Sequence, residues 1–339
     1  MDKAARIILG RSRIISNLRR LIVANWRTLE QKVSDAGPNH MRVDPHILTE
    51  SKKRLIAEER IIPINDGQVE WYALQETPQN LVEEKLSELR PIYQALSKGG
   101  VHERIGQSLE IAFYLAAKDC PQYELLGGID LSQRKGRNQL YDKDEPSSSI
   151  SGKMISGRRK LDFLLRHPEA GYAGLEAKNI REWVYPDRNE VKQMLQKCLE
   201  LNVVPILLAR RIHISTFYVL KKCGVIVWQN FNQLYADIDE EVALQAKHKD
   251  KLGYHDIRIG HNPDSKMIKF ATIDLSTYLP EARRKFEEYK DLLNAYAFGK
   301  NSYRLFAARV KRRFQGALED FDQEQEDLYP AEEDYFEDF

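Results

Sequence analysis

Cysteine is scarce in this chain, with 3 in 339 residues, and none of Cys120, Cys198 and Cys223 sits in a CxxC pair or at metal-ligand spacing. That excludes a disulfide framework or zinc ribbon and fits a reducing compartment, with the cytoplasm as the expected location. Long apolar runs are missing as well. No stretch approaches the roughly 20 residues that a bilayer span needs. Leu21-Ile22-Val23-Ala24 is too short, and too closely flanked by arginines, for a signal peptide, so no membrane association is expected. Gly127-Gly128-Ile129-Asp130 lacks the glycine and lysine spacing of a phosphate-cradling P-loop. The last absence is local: residues 319–339 hold 11 acidic side chains and no basic one.

What is present is charge, unevenly placed. The formal net charge is +1, but with the acidic segment set aside 52 basic side chains face 40 acidic ones, which leaves +12. A body that basic suits a polyanion such as a phosphate backbone. The acidic segment interleaves its carboxylates with Phe321, Tyr329, Tyr335, Phe336 and Phe339. It reads as a disordered tail that solubilises the chain, occupies the basic surface in place of phosphates, or docks a protein partner.

Apolar period and turn chemistry divide the rest. Residues 14–29 read as a helix with Ile15, Leu18, Ile22 and Trp26 on one stripe, and Asp44-Pro45 announces a helix start before a helix over 49–61. In that second helix Lys52, Lys53 and Arg54 face outward. Ile62-Pro63-Ile64, the turn Asn65-Asp66-Gly67 and the alternating run from Val69 to Leu74 predict a β-hairpin. Residues 79–99 read as a helical connector. An amphipathic helix over 101–118 then places Val101, Ile105, Leu109 and Phe113 on one face. A strand over 123–131 and a polar flap over 132–159 follow. Strands over 160–165 and 172–177, a helix over 189–201, a strand over 203–209, a helix over 213–222 and a strand over 225–228 predict an α/β sheet that is partly parallel. Beyond it, 256–259 and 268–273 read as a hairpin, and 281–296 and 303–314 as helices, the last of them basic.

The chemistry concentrates in the middle. Asp162 precedes by fourteen residues the sequence Leu175-Glu176-Ala177-Lys178. Residues two apart on a strand share a face, so Glu176 and Lys178 project together, and a hairpin brings Asp162 beside them. The helix before them offers Glu103 and Glu110, seven residues apart and on nearly the same side, with Gly106 between. Converging carboxylates suit a hard divalent cation, and a lysine beside them supplies a mobile positive charge for a phosphate. Lys192 and Gln196, one turn apart on the next helix, and Arg210 and Arg211 after the following strand are placed to reach a phosphate backbone.

This pattern resembles the PD-(D/E)xK nuclease superfamily, which includes restriction endonucleases and Holliday-junction resolvases, over residues 100–236. Leu161 stands where the family name has proline. The resemblance implies a mixed sheet flanked by helices, catalytic residues Glu110, Asp162, Glu176 and Lys178, and Mg²⁺ or Mn²⁺ held by Glu110, Asp162 and Glu176, with Glu103 the alternative to Glu110. Residues 12–76, roughly, resemble a winged-helix domain, a small α+β module that binds DNA, here through Lys52, Lys53 and Arg54. The expected organisation is therefore a winged-helix-like domain (1–78), a connector (79–99), a nuclease core (100–236), an α+β extension (237–318) and the acidic tail (319–339). The implied activity is metal-dependent hydrolysis of DNA, with a homodimer compatible with cutting both strands. A DNA-binding or assembly protein that keeps the fold without the chemistry, or a winged-helix transcriptional regulator, are the alternatives.

Overall fold

The computed structural model describes residues 2–34, 43–67, 69–97, 99–135 and 138–316, so the acidic segment 319–339 lies outside the described residues. The chain divides into two compact units, one formed by residues 1–102 with 237–259 and the other by 103–236 with the remainder. Among the described residues no helix is long and apolar enough to cross a membrane.

The first unit runs α1 (Lys3–Leu21), β1 (Val23–Asn25), α2 (Trp26–Ser34), α3 (Pro45–Ala57), β2 (Ile61–Asn65), β3 (Glu70–Leu74) and α4 (Gln79–Ser97). The expected helix over 14–29 is in fact two helices around a strand. Asp2 caps α1 by accepting from the Ala5 N–H at 2.7 Å, and the buried face is Ile7, Gly10, Ile14, Leu18 and Leu21 rather than the stripe through Ile15, Ile22 and Trp26. The helix stops because Ile22 turns into the left-handed region (φ +69°), after which Val23, Ala24 and Asn25 pair antiparallel with Ala73, Tyr72 and Trp71. The Asn25 side chain accepts from the Thr28 N–H at 2.9 Å and so starts α2. The Asp-Gly hairpin forms as expected, pairing Ile61 with Leu74 through Asn65 with Glu70, and the sheet order is β1-β3-β2. The segment 237–259, expected to belong to a C-terminal extension, is tied into this unit. Thr28 donates to the Leu252 carbonyl (2.9 Å), Gln31 donates to Asp256 (2.8 Å), and the helix Glu240–Lys247 packs on α4.

The second unit is mixed α/β, a central mixed sheet flanked by helices. Its elements are α5 (Gly99–Ala117, from Glu103 on), β4 (Glu124–Leu126), β5 (Gly128–Asp130), β6 (Asp142–Asp144), β7 (Ser149–Ile150), β8 (Lys153–Met154), β9 (Phe163–His167), β10 (Gly171–Lys178), α6 (Asn189–Leu201), β11 (Val204–Ala209), α7 (Ile214–Lys222) and β12 (Ile226–Gln229). The five-stranded sheet has the order β12-β11-β10-β9-β4, antiparallel from β4 to β10 and parallel from β10 to β12. Alternation along the strands sends Phe163, Leu165, Leu175, Ile206 and Leu208 into the core shared with Leu109 and Phe113 of α5. Leu164, Leu207 and Val227 go into the opposite core with Val191, Met194 and Leu195 of α6.

Three expectations change here. The single strand over 123–131 is broken by Gly127 (φ +93°), where a side chain would press on the Pro146 ring, so β5 leaves the sheet to pair with β6. The flap over 132–159 contains β6 and the β7–β8 hairpin, and its end is fastened to α6: Ser156 donates to Glu200 at 2.7 Å, and Arg159 donates to Gln196 at 2.8 Å and to Glu200 at 3.1 Å. Residues 268–273 are helical rather than a strand. The turns Ser265–Lys269 and Phe270–Asp274 lead directly into the helix Leu275–Ala297, burying Met267, Phe270 and Ala271 against the sheet.

Candidate active site

Three elements carry the sequence's acidic and lysine residues. Glu176 and Lys178 lie on the α6 side of β10, Asp162 sits immediately before β9, and Glu110 comes from the middle of α5. Asp162 is held by the sheet itself. Its N–H donates to the Leu175 carbonyl (3.0 Å), and its carboxylate Oδ2 accepts from the Ala177 N–H (2.8 Å), which fixes the side chain beside the Glu-x-Lys strand. Glu103, one alternative for the helix-borne acid, is exposed at the rim of the cleft, whereas Glu110 reaches the cluster.

Two further lysines complete the arrangement, and neither was singled out in the sequence. Lys143 of β6 donates to Glu110 Oε2 at 2.7 Å and to Asp162 Oδ1 at 2.9 Å, while Lys197 of α6 contacts Glu176 Oε1 and donates to the Lys160 carbonyl at 2.7 Å. Lys178 donates to the other Glu176 oxygen at 2.8 Å. Lys197 left a trace in the sequence: it shares the buried stripe of α6 between Met194 and Leu201, an unusual place for a lysine. Lys143 left none, because its position depends on Gln107 of α5. The Gln107 Oε1 accepts from the N–H groups of Leu140 (2.6 Å) and Tyr141 (3.1 Å), and its Nε2 donates to the Tyr141 carbonyl (2.7 Å). This clamp sets β6 over the acids, with the Lys143 ammonium 5.4 Å from the centre of the Phe163 ring.

The electrostatics follow from burial and crowding. Burial and the adjacent Asp162 charge push the Glu110 carboxyl up to about 7, against the pull of Lys143 and Lys178. Burial also disfavours the charged form of Asp162, but Lys143, Lys178 and the Ala177 N–H outweigh it and hold that carboxyl below its ordinary value. For Lys143, too, burial works against the charge, and the two carboxylates more than compensate, raising the ammonium. Two neighbouring acids are thereby pushed apart, one kept ionised and one titrating near neutrality.

A cleft of about 900 Å³ opens above Glu110, Lys143 and Asp162, rimmed by Glu103, Lys135 and Glu145. Among the described residues no group of three or more His, Cys, Asp or Glu side chains converges as a metal site. What does converge is a pair. Glu110 Oε2 and Asp162 Oδ1 meet on one point now taken by the Lys143 ammonium, which stands in for a cation there. An oxygen-only pair beside an open cleft fits Mg²⁺, which is commonly held by one or two carboxylates and keeps several waters. Glu176, expected as the third ligand, is instead taken up by its two lysines.

The expected DNA contacts divide in a similar way. Lys52 is tucked between Trp26 and Tyr72 and donates to the Tyr72 hydroxyl at 2.9 Å, so it serves the packing of the first unit; Lys53 and Arg54 are exposed, Arg54 pairing with Glu50 along the helix. Lys192 lies 5.3 Å from the Tyr296 ring centre, and Gln196 bonds Arg159 and the Ala297 carbonyl, because that face of α6 lies under the helix Leu275–Ala297. Arg210 is buried and donates to the carbonyls of Ile180 (3.0 Å) and Arg181, a structural role in place of a phosphate contact. Comparison with known proteins adds no further guide: no protein-family model, no curated protein and no solved structure matches this chain.

Proposed function

We propose that the chain is a divalent-metal-dependent DNA endonuclease of the PD-(D/E)xK type, carrying a winged-helix-like module in its first unit. The observation that carries the reading is the convergence of Glu110 and Asp162, from a helix and a strand entry, beside an open cleft, with Asp162 bonded to the backbone of the strand that bears the Glu176–Lys178 pair. The element order α-β-α-α-β-β with sheet order β1-β3-β2 in the first unit supports the winged-helix resemblance in the same way.

In this reading Glu110 and Asp162 hold the ion, which when bound lowers the pKa of its water and polarises a phosphoryl oxygen. The chain's own residues do the rest. Asp162, oriented by the Ala177 N–H, presents one oxygen to the cleft in a fixed direction. Lys178 supplies a positive charge whose influence reaches both Glu110 and Asp162, so it is placed to stabilise charge developing on a phosphate bound over that pair. Glu176, fixed by Lys197, holds the Lys178 ammonium in position.

The test is cleavage of duplex, single-stranded and branched DNA with Mg²⁺ or Mn²⁺. Wild type is expected to cut at least one of these, and Asp162→Asn and Lys178→Met to cut about 100-fold more slowly or worse while keeping their fold and most of their DNA affinity. Equal cleavage by the variants refutes the site. The second reading, a DNA-binding protein that keeps this architecture without its chemistry, is favoured by the Lys143 ammonium already neutralising the two acids. DNA binding by the wild type without cleavage of any substrate selects it.

A further inference from the structure

Just beyond the parallel edge of the sheet, the turn after β12 holds Phe231 at φ +66°, a conformation that bulky side chains rarely adopt, and leaves it 49% exposed. The turn is tied down. Asn230 N–H donates to the Ala209 carbonyl (2.8 Å), Phe231 N–H to the Arg210 carbonyl (3.0 Å), and Asn230 Nδ2 to the Asn232 carbonyl (2.8 Å). The ring is also flanked by cations. The Arg211 guanidinium lies 5.7 Å from the ring centres of both Phe231 and Trp183, and the Lys266 ammonium lies 5.9 Å from Phe231 on α-helical residues of the same unit.

Trp183, Arg211, Phe231 and Lys266 thus form a ladder of alternating aromatic and cationic groups. Strained backbone kept in place by several hydrogen bonds, presenting an apolar ring to solvent, is costly as packing and useful as presentation. Its address matters too: Lys178 pairs with Ala209, and Ala209 with Gln229, so the strand end that leads into the Phe231 turn lies two strands from Lys178, about 10 Å across the sheet. Aromatic faces beside positive charge are what unpaired nucleotides bind, bases stacking on the rings while phosphates meet the cations.

We infer that this ladder is a base-stacking platform that engages unpaired nucleotides beside the cleft, which makes DNA with a single-stranded portion the substrate class. The inference rests on the nuclease reading for its biological sense, but binding tests it separately. With the full chain in EDTA, fluorescence anisotropy is measured against labelled oligothymidylate, an abasic oligonucleotide with the same number of phosphates, and a blunt duplex. Phe231→Gly, which relieves the backbone, is expected to weaken oligothymidylate binding about tenfold and Phe231→Trp to leave it within about twofold, with abasic and duplex affinities nearly unchanged. Oligothymidylate affinity unchanged in Phe231→Gly, or an equal loss on the abasic strand, overturns the platform. If the wild type cuts DNA and that result is found, only the platform falls; if the expected binding pattern is found and nothing is cut, only the nuclease reading falls.

Discussion

Glu110 is the residue whose protonation most directly reports the state of the site. Its carboxyl is raised by burial and by Asp162 from an ordinary value of 4.5 to about 7. A folded-state value above the unfolded one means that Glu110 favours folding while protonated, at acid pH, and that this contribution is lost as pH rises from about 4.5 through about 7. Asp162 runs the other way, since its lowered value contributes stability that is lost as pH falls below its ordinary range. Glu110→Gln removes the cost of ionising the first acid and leaves Lys143 paired with Asp162. The variant is expected to be more stable than wild type at pH 8 by roughly 1–3 kcal/mol, with the difference vanishing near pH 4. Urea unfolding of both proteins at several pH values in EDTA checks this, and a difference independent of pH would mean that Glu110 does not titrate as its surroundings demand.

At the level of elements, α5 and β6 act as one device through Gln107, whose side chain meets three backbone groups of Leu140 and Tyr141. Gln107→Ala leaves those groups without their partner and is expected to cost about 1–3 kcal/mol, to speed amide exchange at Leu140 and Tyr141, and to loosen Lys143 from the acids. Amide exchange resolved by residue is the measurement, and protection unchanged at both positions would remove Gln107 from this role. Elements set by local rules were disclosed by the sequence, and those set by distant pairing were concealed. The helices Asn189–Leu201 and Tyr303–Phe314 were legible to the residue because apolar period, start and stop agreed. Asp162, Glu176 and Lys178 were legible because strand alternation and a short hairpin are local rules. The break of α1 at Ile22 was hidden because β1 has only three residues and exists by pairing with β3, far along the chain. Residues 268–273 alternate like a strand, yet their apolar groups bury equally well in a helical turn, so a short run could not decide. Lys52 read as exposed because nothing nearby in sequence announces Trp26 and Tyr72 on either side of it.

The whole molecule is built from two units, the first completed by residues 237–259, and this decides how the proposed DNA binding by the first unit is tested. Residues 237–259 return to that unit and bond Thr28 and Gln31, so cutting the chain after residue 78 would strip them of their partners and confuse folding with binding. Charge reversal on the surface avoids that. Lys53 and Arg54 are exposed at the end of α3, while Lys52 is occupied in packing and is best left intact. If α3 lies against a phosphate backbone, Lys53→Glu with Arg54→Glu removes two cations from the contact and adds two repulsive charges. Duplex affinity should then fall at low salt, and the slope of log affinity against log salt should become shallower by about 2, since each phosphate neutralised contributes about 0.9 to it. Arg54 is partly balanced by Glu50 through the i, i+4 pair, so Lys53→Glu alone is expected to account for at least half of the change. Anisotropy titrations across a salt series measure both quantities with the fold checked by circular dichroism. A salt slope identical to that of wild type would place the DNA contact elsewhere and leave the first unit as a packing or assembly module.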